Sequence, residues 1–175
     1  MQIEQLSIEG LLLLKPTIFS DERGFFYETY HQDKFKNNGI SLDFKQDNRS
    51  RSKFGVLRGL HFQINKPQGK LVTVTRGKVF DVAVDMRRNS PTYGDYVSVI
   101  LSDENFHQFY IPPGFAHGFC VLSDEVDFQY KCTELYDPTD EGGIRWDDPQ
   151  IAIDWPISEP ILSNKDLKLP YLADL

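Results

Sequence analysis

Few residues of this chain are placed to do chemistry. His61 lies in Arg58-Gly59-Leu60-His61-Phe62-Gln63, with Arg58 three positions before it; Lys70 follows nine positions later in Gln68-Gly69-Lys70-Leu71-Val72. An imidazole held on a β-like run beside cations suits proton transfer next to an anionic substrate. On position alone His61 reads either as a structural histidine or as a base. Lys70 is either a surface strand lysine or the cation that stabilises a developing oxyanion. Tyr130 ends the run Val126-Asp127-Phe128-Gln129-Tyr130. Such a tyrosine either packs in the core with its hydroxyl at the edge or donates a proton. Asp166, in Ser163-Asn164-Lys165-Asp166, has the local character of a helix N-cap or turn residue. Brought to a histidine by folding, it would orient the ring and raise its basicity.

A second histidine, His117, sits in Pro112-Pro113-Gly114-Phe115-Ala116-His117-Gly118. That pattern is similar to the second metal-binding motif of cupins. The first cupin motif needs an H-x-H pair and a following glutamate, whereas position 63 is Gln, and His31 and His107 fall in unrelated surroundings. Two histidines without a third ligand make a poor transition-metal site, so a metal-independent protein is expected. Cys120 and Cys132 lie in apolar strand-like runs and read as buried, reduced thiols.

These groups must be positioned by strands. Prolines and glycines punctuate short runs over 175 residues, the rhythm of a single all-β domain spanning 1–175. Strands are expected over 2–8, 11–15, 42–48, 55–63, 95–102 and 106–111, with Phe25 to Tyr30 extended and a short helix over Gln32–Asn38. Lys70–Thr75 and Val79–Met86 are expected to pair as a hairpin through Arg76-Gly77-Lys78, and 115–123 with 125–136 as another. A short strand is expected near Ile144-Arg145-Trp146, followed by an extended tail that wraps the body and ends in a short helix. About ten such strands point to a jelly-roll barrel or sandwich. By strict alternation Leu57, Gly59, His61 and Gln63 share one face and Arg58 falls on the other. If Arg58 and His61 serve one pocket, the strand must bulge, and Gly59 is the place for it. In the 79–86 arm, Asp81 and Asp85 point away from Phe80, Val82, Val84 and Met86, toward solvent or a polar cavity.

Charge narrows the ligands. A net charge of −7 argues against nucleic-acid binding, yet a local Arg and Lys cluster can still hold a small anion. Leu11 to Leu14 is too short for a signal peptide or a membrane span, so the expected compartment is the cytoplasm.

Seven segments in order give a specific resemblance. They are Asp21-Glu22-Arg23-Gly24-Phe25-Phe26, Gln46-Asp47-Asn48, Val56 to Gln63, Gln68 to Val72, Gly77 to Asp85, Ile111 to Phe119, and Ser163 to Asp166. Together they resemble the dTDP-4-dehydrorhamnose 3,5-epimerase family over nearly the whole chain. The resemblance implies a metal-free, cupin-like jelly roll with short helices, and a homodimer whose partner residues complete the nucleotide pocket. It implies a dTDP-4-keto-6-deoxy-hexose substrate, inverted at C3 and C5 without a cofactor. By the same resemblance His61 is the base, Asp166 its orienter, Lys70 the stabiliser of the enolate and Tyr130 the acid on the opposite face. Arg23, Glu28, Gln46, Asn48 and Arg58 match positions that hold the nucleotide and diphosphate. His117 matches a pocket position near the sugar, Tyr136 a residue that stacks on thymine, and Glu141 and Lys165 further ligand contacts. Relatives in antibiotic-sugar pathways share base and acid yet invert one centre, so a mono-epimerase is the close rival. Two rivals differ in class: a metal-dependent cupin enzyme and a non-catalytic nucleotide-sugar binding cupin.

Overall fold

The computed structural model describes residues 1–41 and 43–175. The strands are β1 (Gln2–Gln5), β2 (Leu12–Lys15), β3 (Phe19–Asp21), β4 (Gly24–Phe26), β5 (Gln46–Lys53), β6 (Leu57–Gln63), β7 (Lys70–Arg76), β8 (Lys78–Asp85), β9 (Tyr96–Ser102), β10 (Gln108–Ile111), β11 (Phe115–Val121), β12 (Glu125–Cys132) and β13 (Glu141–Gly143). One short helix, α1 (Gln32–Lys36), and two 3-10 turns, Asp166–Lys168 and Leu172–Asp174, complete the elements. The strand expected over 42–48 starts at a residue outside the described set, and the observed one begins at Gln46.

Two antiparallel sheets face each other. The larger runs β1-β2-β10-β7-β12-β5 and the smaller β13-β6-β11-β8-β9, while β3 and β4 form a separate hairpin. This is the expected all-β, cupin-like sandwich. Strand alternation explains its layers. Val72 and Val74 of β7, Val79 and Ala83 of β8, Phe115 and Phe119 of β11, and Val126 and Phe128 of β12 turn inward and form the core between the sheets. The opposite faces of β6, β8 and β11 bury Leu60, Val82, Val84 and Ala116 under Ile144 and Ile151 of the tail, with Trp155 and Leu172 packed alongside. Leu14, Leu71 and Tyr110 on the outside of the larger sheet are covered by Phe35 of α1 and by Ile40. Among the described residues no helix is long and apolar enough to cross a membrane.

Both expected hairpins are replaced by corners. β7 belongs to the larger sheet and β8 to the smaller, and β11 and β12 divide in the same way. Apolar alternation says which face of a strand is buried; it does not say which neighbour pairs with it. Here each tight connection carries the chain from one sheet to the other. Gly77 takes φ +81, and a Cβ on it would lie 2.2 Å from the carbonyl oxygen of Glu125. The two corners are joined, since the amide of Lys78 donates to Ser123 Oγ at 2.9 Å. The late strand is Glu141–Gly143 rather than 144–146, although Ile144 continues its pairing by exchanging backbone hydrogen bonds with Leu60.

Candidate active site

The bulge at Gly59 is present. His61 pairs with His117 and Arg58 with Phe119, so β6 spends three steps where β11 spends two. Gly59 sits within that irregularity at φ +122, and a Cβ there would stand 2.5 Å from Gly118 Cα and 2.8 Å from the His117 carbonyl oxygen. No side chain fits at that point. The extra residue turns Arg58 and His61 into the same cavity while Leu60 packs into the outer core.

That cavity, about 460 Å³, opens between the sheets. The smaller sheet contributes Arg58 and His61 from β6 and His117 from β11; the larger contributes Lys70 from β7 and Tyr130 from β12; the tail contributes Lys165 and Asp166. Lys70 and Tyr130 share the inner face of their sheet because β7 and β12 pair with Lys70 opposite Cys132 and Val72 opposite Tyr130. An adjoining cavity of about 350 Å³ shares His61, Lys70 and Tyr130 and adds Gln46, Asn48, Tyr136 and Glu141.

His61 Nε2 lies 2.6 Å from Asp166 Oδ1. The histidine is part-exposed to the cavity while the aspartate is nearly buried. A carboxylate there holds the ring proton on Nε2 and leaves Nδ1 free to accept one. Burial raises the Asp166 carboxyl, but the hydrogen bond and charge of His61, with help from Ser163, bring it below the ordinary aspartate value. Asp166 is itself placed by its backbone amide, which donates to Ser163 Oγ at 3.1 Å. Lys70 is buried, with Nζ 3.4 Å from the His61 carbonyl oxygen. Burial lowers its pKa, against the opposing influence of Cys132, Asp81 and Glu141. Burial raises the Tyr130 phenol, with Arg58 acting the other way.

Asp81 faces neither solvent nor the cavity itself but lies behind His117 in the cavity wall. It is fully buried, and its oxygens lie 3.0 and 3.1 Å from His117 Nε2. Burial pulls this pair toward its neutral forms, lowering His117 and raising Asp81. Among the described residues no group of three or more His, Cys, Asp and Glu side chains is arranged to hold a metal. Phe119 and Phe128 stack at 4.1 Å beside His117 and Tyr130 and give the cavity an apolar wall. Ser163 and these two phenylalanines were given no role of their own from the sequence, although Phe128 shares Tyr130's parity on β12. Cys120 and Cys132 are both free and buried.

The other expected ligand positions divide. Gln46 donates to Asn48 Oδ1 at 3.0 Å and accepts from the Tyr136 amide at 2.9 Å. Tyr136 donates its hydroxyl to Glu141 at 2.7 Å, and Glu141 also pairs with Lys165. All of these line the joined cavities. Arg23 and Glu28 do not: Arg23 is bound to Asp21 in the β3–β4 hairpin, and Glu28 pairs with Lys34.

Comparison with known proteins bears on this geometry. The family described as dTDP-4-dehydrorhamnose 3,5-epimerase matches residues 5–174. The chain is 56% identical over 163 residues to dTDP-4-dehydrorhamnose 3,5-epimerase of Methanothermobacter thermautotrophicus, covering 91% of this chain and 88% of the relative. It is 43% identical over 176 residues to dTDP-4-dehydrorhamnose 3-epimerase of Streptomyces niveus, covering 99% and 85%. Among solved structures, dTDP-6-deoxy-D-glucose-3,5-epimerase of Legionella pneumophila in complex with dTDP-4-keto-L-rhamnose superposes with a TM-score of 0.96 at 53% identity, covering 98% of this chain and 93% of that one.

Proposed function

The chain belongs to the dTDP-4-dehydrorhamnose 3,5-epimerase family, and from that premise we propose that it inverts C3 and C5 of dTDP-4-dehydro-6-deoxy-D-glucose. The product is dTDP-4-dehydro-L-rhamnose, within dTDP-L-rhamnose biosynthesis. His61, oriented by Asp166, removes the proton alpha to the ketone through Nδ1. The electrons move onto O4, where the Lys70 ammonium stabilises the enolate. Tyr130 returns a proton from the other face of the ring. The same cycle serves both carbons, because both flank one ketone. One observation carries the reading: His61, bonded to Asp166 of the tail, stands on one sheet, Lys70 and Tyr130 stand on the other, and all four line one cavity. Inversion needs a base and an acid on opposite faces of the reacting carbon. Arg58 and Lys165, at the same cavity, suit the diphosphate, and Tyr136 offers its ring to the base.

The test is NMR of the 4-keto sugar nucleotide in deuterated water, coupled to reduction of the product. Deuterium is expected at C3 and C5, with the L-rhamno configuration accumulating. Wash-in and inversion at one carbon alone would favour the mono-epimerase, the activity named for the Streptomyces niveus relative. Tight dTDP binding with no wash-in would favour a binding module and sink the enzyme reading.

The proposed assembly is a homodimer in which the β3–β4 hairpin reaches the partner's nucleotide pocket. Phe19, Phe25 and Phe26 on this hairpin are 62%, 61% and 70% exposed. Phe19 and Phe26 pair across the hairpin on one face, an exposed apolar pair that association would cover, while Phe25 turns to the other face against Phe106. Arg23 and Glu28 lie on or just beyond it, away from their own cavity. Sedimentation equilibrium is expected to give twice the chain mass. A monomer with full activity would refute the shared pocket.

A further inference from the structure

We propose that Asp148 is a positioning residue for the reaction, acting through Asp166. This rests on the role given to Asp166 above. Asp148 is 2% exposed and makes three hydrogen bonds to backbone amides through its carboxylate. Oδ1 accepts from Gln150 at 2.8 Å and Ile151 at 3.0 Å, which closes a local turn. Oδ2 accepts from the amide of Leu172 at 2.6 Å, across 24 residues of chain. Asp166 lies within that span.

The segment bearing Asp166 has little structure of its own. A three-residue 3-10 turn supplies few internal hydrogen bonds, so its position depends on what holds its ends. The upstream end is fixed at Ile161, whose amide donates to Gly55 and whose carbonyl accepts from Leu57. The downstream end is held by residues 143–148. The Arg145 amide donates to the Pro170 carbonyl at 2.9 Å, and its guanidinium donates to the Leu167 carbonyl at 3.1 Å. Leu169 rests on Gly143, where a Cβ would meet its methyls at 2.8 Å, and Gly143 pairs directly with His61 on β6. Asp148 supplies the charged acceptor of this set, and hydrogen bonds to a charged acceptor are the stronger kind. The clamp therefore sets where Asp166 stands against His61 Nε2.

A double-mutant cycle tests it. Asp148→Asn keeps the side-chain volume but loses the charged acceptor, and should cut deuterium wash-in by about 10- to 100-fold with KM little changed. In the Asp166→Asn background the same change should cost nothing further, because its effect passes through Asp166. A purely structural role would lower both backgrounds by the same factor, and that outcome overturns the proposal. So does wild-type wash-in by Asp148→Asn. If Asp148→Asn fails to fold, Leu172→Pro removes the donor together with a side chain packed on the outer core, and Leu172→Ala, which keeps the amide and loses the packing, is its control. Proline is tolerated at the first position of such a turn, and Tyr171 before it is extended, at φ −78 and ψ 159. The same cycle is then read with Leu172→Pro, and additivity or a wild-type rate again overturns the clamp. If Asp166→Asn alone exchanges at the wild-type rate, the role of Asp166 fails, and the clamp fails with its premise.

Discussion

His61→Asn is expected to abolish deuterium wash-in at both C3 and C5, with a loss of about 10³-fold or more. Asparagine is smaller than histidine, and its amide falls at the level of Nδ1, short of Asp166, which lies 2.6 Å from His61 Nε2. It has no nitrogen lone pair basic enough to take a proton from carbon. At 1.36 kcal/mol per tenfold, that loss is roughly 4 kcal/mol of transition-state stabilisation. Binding of dTDP, measured by calorimetry, should be nearly unchanged, because Arg58, Gln46 and Tyr136 keep their places. Loss at one carbon with full exchange at the other would mean a second base, and His117 would be the first group to test. Its nitrogen is already engaged by Asp81 at 3.0 Å, deep in the wall, which is why both carbons are expected to depend on His61.

The sequence foresaw the bulge at Gly59 because the site made a geometric demand. Two side chains an odd number of positions apart cannot share a face of a regular strand, and glycine is the residue that relieves this. The two faces of the 79–86 arm were legible for the same reason, since a period of two is written into each strand, but not that the face of Val79, Asp81 and Ala83 is the one turned between the sheets. What alternation cannot carry is partnership. The valine-rich arms at 70–76 and 78–85 look like one hairpin from sequence and are a corner between sheets in the fold. Deciding between them requires knowing where Ser123 and Glu125 will stand, and those residues lie far along the chain.

Asp166 shows the other limit. Nothing near it in sequence indicates a histidine 105 positions earlier, and its pairing came from resemblance rather than from local pattern. Asp148 lacked even that. Its neighbours, Asp147-Asp148-Pro149, read as a polar turn, and a polar turn is what two of its three hydrogen bonds make. Its third bond, to Leu172, depends on how the tail crosses the outer face of the smaller sheet. Arg23 and Glu28 were expected at the nucleotide from resemblance alone, and only the proposed homodimer would bring them to a pocket. In the single chain they lie on or just beyond an exposed hairpin, away from its own cavity.

Tyr130→Phe should separate exchange from inversion. Burial raises the phenol, so at neutral pH Tyr130 holds its proton and acts as a donor. Phenylalanine keeps the ring that packs beside Phe128 and loses only the hydroxyl. Deprotonation by His61 then continues, and the proton returned from the same side comes from solvent. Wash-in with retained configuration should persist, while formation of the inverted sugar falls by about 10²- to 10³-fold. The pH dependence follows from the signs of the shifts. Tyr130 loses its proton only as pH rises through its raised pKa, and this would remove inversion alone. Lys70, lowered by burial, also loses its charge on the alkaline side. That removes stabilisation from the enolate, so wash-in and inversion should fall together. A Tyr130→Phe enzyme that inverts at the wild-type rate would mean that the acid is another group. One in which wash-in collapses along with inversion would mean that the phenol assists deprotonation instead of completing the reaction from the opposite sheet.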